Sequence, residues 1–143
     1  RLDLHKDSIP GEGAGFFVLT GKKKDVLAEI KDIRLVPVFD KKKVQRAFER
    51  FIEKNSIVPA STLLFAPFNG DKDRDSWKKE IASAYNWKEI VCPKDKTGEF
   101  MTARALSTGL AAERIAYDPK TEQILVWNSF LNMENAFILL KNV

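Results

Sequence analysis

Short apolar runs alternate with amphipathic segments along most of this sequence, and that alternation is its strongest constraint on fold. The clearest amphipathic piece is "DKKKVQRAFERFIEKNS", residues 40–56. Val44, Ala47, Phe48, Phe51 and Ile52 recur there at helical spacing, so one face of a helix is apolar. Asp40 is placed to cap its start and Asn55 to end it. The runs 15–20 ("GFFVLT"), 33–39 ("IRLVPVF"), 61–66 ("STLLFA") and 89–93 ("EIVCP") read as strands. Pro37 lets the second of these be only an edge or a bulged strand. Helices are expected over 25–31, 75–87 and 97–109, the last closing at Gly109.

Further on, "ERIAY", the turn "DPKT" and "QILVWNSF" read as a β-hairpin. The final segment, 133–142, suits a short helix capped by Asn132 or a strand equally well. The expected class is therefore α/β or α+β. It consists of one domain over 15–143, with a mixed, mainly parallel sheet, flanking helices and a C-terminal hairpin. Residues 1–14, with "SIPGEGAG", read as a flexible arm.

Composition narrows the function classes. Hydrophobic residues are 44% and charged residues 31% of 143, which is a folded rather than a disordered composition. The longest apolar run, Ala136 to Leu140, is far too short to span a membrane. One cysteine, Cys92, excludes an internal disulfide and points to an intracellular setting. It lies in an apolar run and reads as a buried strand residue. One histidine, His5, leaves no Cys–His metal cluster.

The net charge of +4 is unevenly spread. Residues 1–60 hold 13 Lys/Arg against 9 Asp/Glu, and the remainder holds 11 of each. Two segments share a pattern: "FFVLT-GKKK-DVLAEI" and "RLVPVF-DKKK-VQRAFERF" each read as strand, three lysines, helix. Lysines in a first helical turn oppose the helix dipole, and a bound phosphate reverses that cost. On a parallel sheet both corners fall on one edge. Lys22, Lys23, Lys24, Lys41, Lys42 and Lys43, continued by Arg46 and Arg50, are thus candidates for binding nucleic acid or another polyanion through its backbone.

A third corner, "NGDKDRDS", offers Asp71, Asp73 and Asp75. Carboxylates beside a phosphate-binding edge suit Mg²⁺ and a metal-dependent nuclease or phosphoryl transferase. The plainer reading is a helix cap plus an Asx-turn. An EF-hand is rejected, because Ser76 stands where its glycine belongs and Ala82 where its glutamate belongs. The order of parts loosely resembles the Toprim domain of primases and topoisomerases. The matching positions are Thr20-Gly21 and Asp71-Lys72-Asp73; Thr20 lacks the glutamate's charge, and the resemblance is not adopted.

Small basic α/β domains also include secreted RNase toxins. By that analogy His5 or Glu113 would act as base, with Arg114 and Lys120 on phosphate. Trp87, Tyr85, Phe68 and Trp127 have the chemistry to stack on bases, yet their spacing reads as core. A third functional reading is a protein-interaction or structural module, in which aromatic and acidic surfaces meet a partner chain. Whether the chain is an enzyme stays open at this point.

Overall fold

The computed structural model describes residues 13–22, 24–37, 40–98, 102–130 and 134–143. Its elements run β1 (Glu29–Val36), α1 (Lys41–Lys54), β2 (Leu63–Phe65), α2 (Lys72–Ser83), β3 (Glu89–Val91), α3 (Lys94–Thr97), α4 (Ala103–Tyr117), β4 (Gln123–Phe130) and β5 (Glu134–Lys141). The five strands form one sheet in the order β1-β5-β4-β2-β3. β2 pairs in parallel with β3 and β4, while β5 is antiparallel to β4 and β1. Every strand except β5 therefore points the same way. The α/β class, the mixed sheet and the C-terminal hairpin follow the alternation in the sequence.

Side chains alternate across the pleat, and this divides the core into two layers. Leu64, Leu125, Trp127, Phe137 and Leu139 face α1 and α2. Leu63, Phe65, Ile124, Val126 and Leu140 face α4. α1 forms as expected: Asp40 accepts from the Lys43 amide at 3.1 Å, and Val44, Ala47, Phe48, Phe51 and Ile52 are its buried residues. Phe48 is the hub of an aromatic cluster, with ring centroids 5.0 Å from Trp127 and 5.2 Å from Phe137. Such pairs add roughly 0.5–1.5 kcal/mol beyond area burial. Trp87 and Trp127 are buried here, so neither is a stacking platform for bases.

Several expectations are corrected. No strand forms over 15–20; residues 13–20 run as irregular chain with Phe16, Val18 and Leu19 exposed. The segment expected as a helix at 25–31 instead enters β1, where Ile30 pairs with Leu140 and Glu29 with Lys141. Sheet pairing overrides a weak local helical pattern. α4 does not close at Gly109 but continues to Tyr117, so "ERIAY" is its last turn and not a strand. The hairpin is β4 with β5, which also decides the last segment: it is a strand. β5 is buried on both faces, and so reads as a continuous apolar run with no period of two.

Candidate functional site

Five of the polar residues that this fold buries gather at one edge. Asn69 follows β2, Lys94 follows β3, Asn128 and Ser129 end β4, and Asn135 begins β5; all are buried. The carboxyl ends of the parallel strands β2, β3 and β4 meet here, the usual ligand edge of an open α/β sheet. The Lys94 ammonium donates to the Ser129 carbonyl at 2.9 Å. Trp127 Nε1 donates to Asn135 Oδ1 at 3.0 Å. Asn128 Nδ2 reaches Thr108 Oγ1 on α4 at 3.3 Å. Among the described residues, the Ser129 hydroxyl and Asn135 Nδ2 are buried with no hydrogen-bond partner. Sequence reasoning passed over these residues. Their signal was polar side chains inside apolar strands, as in "VWNSF".

Cys92 borders this edge. Burial, then the nearby Asp95 and Asp75 carboxylates, push its thiol up to about 11. At neutral pH it is a protonated thiol, and the thiolate is the nucleophile. Cys92 is therefore not an activated nucleophile. It lies just past the end of β3 and is half-buried.

The aspartates do not converge. Asp71 caps α2, accepting from the Asp73 and Arg74 amides, both at 3.1 Å. Asp75 turns inward and is fully buried. Its Oδ2 accepts from the Asn69 and Gly70 amides, both at 2.9 Å, and its Oδ1 lies 3.8 Å from Lys78 Nζ. Asp73 remains exposed. Among the described residues no group of three or more His, Cys, Asp or Glu is gathered to hold a metal ion. The Mg²⁺ expectation does not fit this donor set: one carboxylate caps a helix, one is used inside, and one faces solvent.

The two lysine corners are not equivalent either. Lys41, Lys42 and Lys43 do open α1 after β1. Lys22 and Lys24 lie in irregular chain with no strand before them and no helix after, and Lys23 lies outside the described residues. Lys41 is paired with Glu80 of α2. β1 and β2 are separated by β5 and β4, about 14 Å at ordinary strand spacing. Arg46 and Arg50 are exposed on α1. Arg114 is engaged by Asp118 at 3.0 Å and Glu89 at 3.6 Å, and His5 lies outside the described residues.

A second feature lies on the opposite face of the sheet. α4 turns Ala103, Ser107, Ala111 and Ile115 inward. Its other positions are also largely apolar or small: Ala105, Leu106, Gly109, Leu110 and Ala112 are half-buried. Gly13, Gly15 and Phe17 of the preceding irregular segment lie against it. An added Cβ at Gly109 would sit 2.9 Å from the Phe17 ring, and one at Gly15 would sit 3.4 Å from the Ala105 backbone. Phe16 and Val18 project away, 93% and 94% exposed.

No protein-family model matches the chain, and no curated protein matches it. Solved structures do. The PfaC keto synthase–chain length factor superposes with a TM-score of 0.66 at 16% identity, over 85% of this chain and 13% of that one. A type II polyketide synthase ketosynthase, bound to a hexaketide and in complex with its acyl-carrier protein, gives 0.61 at 13%, over 82% and 34%. Ketosynthase twelve of the bacillaene polyketide synthase of Bacillus amyloliquefaciens gives 0.61 at 14%, over 82% and 30%. The chain thus shares the fold of part of these ketosynthase structures and spans about a third or less of them.

That fold overturns the nucleic-acid-binding and metal-dependent nuclease readings. The first lysine cluster has no strand-to-helix corner, and the Lys41–Lys43 and Asp71 corners stand three strand spacings apart along the edge. The Toprim likeness falls with them, since no strand ends at Thr20. No helix of the described residues is long and apolar enough to cross a membrane.

Proposed function

We propose that this domain is a protein-interaction module. The outer face of α4, with residues 13–20 laid across it, docks against a protein carrying the remainder of a ketosynthase-type fold. The observation that carries this reading is α4 itself. Beside its buried, sheet-facing residues α4 carries a second apolar stripe, Ala105, Leu106, Gly109, Leu110 and Ala112, that the sheet does not cover. The other side is met by a segment that itself presents Phe16, Val18 and Leu19 outward. Exposed apolar patches of this kind mark interaction sites. The single free thiol fits an intracellular setting.

The test is purification of the tagged protein from its own cells at about 0.5 M salt, where exposed ion pairs are largely screened. The reading expects a stoichiometric partner of ketosynthase type that Val18→Lys with Leu19→Lys releases. Purification without such a partner counts against it.

A second reading concerns α1. Lys42, Lys43, Arg46 and Arg50 are exposed along it, and one structural neighbour is held in complex with an acyl-carrier protein. A basic helix face suits an acidic protein surface. Reversing Arg46 and Arg50 to Glu should slow association with a purified acyl-carrier protein and remove its salt dependence. Association that ignores both charge and salt contradicts this.

A further inference from the structure

β1 ends the sheet, and among the described residues only β5 pairs with it. Its outer row of backbone donors and acceptors is a template for another strand. Ile33 and Leu35 on this strand are 51% and 72% exposed. Charged edge residues ordinarily discourage pairing. Here the order of charges in "EIKDIR", residues 29–34, is self-complementary. Laid antiparallel on a copy of itself, Glu29 meets Arg34, Ile30 meets Ile33, and Lys31 meets Asp32.

In a regular strand this register is forbidden. Residues an odd number apart point to opposite faces, and a two-fold axis normal to the sheet pairs only residues on one face. The ladder with β5 shifts between Ile30 and Asp32. This bulge absorbs Lys31 and resets the alternation. Ile30 and Ile33 consequently pair with Leu140 and Ile138, both on the α4 face. Glu29 pairs with Lys141 and Arg34 with Phe137, both on the α1 face. The bulge is what allows each charge to meet its opposite on the correct side. Asp32 is already held in place by Lys54 Nζ at 2.7 Å and Asn55 Nδ2 at 2.9 Å.

We propose that β1 pairs antiparallel with β1 of a second copy, extending the sheet across a two-fold axis with Glu29 opposite Arg34 and Lys31 opposite Asp32. The partner is this chain itself, and the surface is separate from the α4 face.

Sedimentation of the purified chain at low salt, across roughly 1 µM to 1 mM, reads the outcome. The expected species is twice the 16.3 kDa chain mass. Glu29→Arg and Arg34→Glu should each weaken association by about tenfold or more, by setting like charges opposite. The double variant should restore it, since the charges then match again. Val18→Lys with Leu19→Lys should leave the dimer unchanged. A monomer throughout overturns the proposal. So does a dimer indifferent to both single reversals, or a double variant that stays as weak as either single. A dimer lost only in the Val18 and Leu19 variant overturns it too, while supporting association through the α4 face.

Discussion

The Phe17 ring lies over Gly109 on the outer side of α4, where a Cβ would stand 2.9 Å from its Cε1. Gly109→Ala therefore separates two effects. Alanine is favoured over glycine in a helix interior by about 1 kcal/mol, and the half-exposed Phe17 ring is free to swing outward. Thermal stability should hold or rise slightly. Amide exchange in residues 13–20 should quicken. Unchanged exchange there would show that Phe17 does not anchor the segment.

Asp75 is a structural carboxylate, and its removal should be costly. It accepts the Asn69 and Gly70 amides and lies beside the buried Lys78. Asp75→Ala takes that acceptor from two amides and removes a carboxylate from beside the buried Lys78 ammonium. A loss of about 3–5 kcal/mol is expected, read from denaturant unfolding. Asp73→Ala, at an exposed position, should change stability by no more than about 0.5 kcal/mol. Equal losses at both would contradict the geometry.

Cys92 should alkylate slowly at neutral pH. Its thiol titrates near 11, so the rate should climb through pH 9 and level off only around that value. An unperturbed thiol levels off near 8.5. A plateau by pH 9 would place Cys92 in a more polar setting than the fold gives it.

Asp32 links stability to acid. The Lys54 and Asn55 hydrogen bonds hold its carboxyl below the usual 3.8. A depressed folded value stabilises the protein above the unfolded pKa, and that contribution is lost as pH falls through the folded one. Stability should decline below about pH 4. Asp32→Asn should flatten part of this decline. An identical acid limb in the variant would deny Asp32 the role.

What was legible in the sequence was local. α1 could be read from its five apolar positions and Asp40, and the α/β class from the alternation of segments. What failed depended on neighbours. "GFFVLT" has a strand's composition, but β1 already ends the sheet and residues 13–20 lie on α4 instead. "DVLAEIK" has a helical pattern, yet pairing with β5 draws Glu29 to Lys31 into a strand. The buried rim of Lys94, Asn128, Ser129 and Asn135 was missed because its members lie far apart in the chain and form no motif. Only the strand order brings them together. The aspartates are conspicuous because three alternate within five residues, and closeness in the chain does not become convergence in space.

The interaction reading is tested most directly by amide exchange on α4 and residues 13–20, in the protein alone and in the complex isolated from its own cells. The account predicts that both segments become strongly protected in the complex, and that Val18→Lys with Leu19→Lys abolishes the protection while the isolated domain stays folded. Protection confined to other elements, with α4 and residues 13–20 exchanging as they do alone, would contradict it.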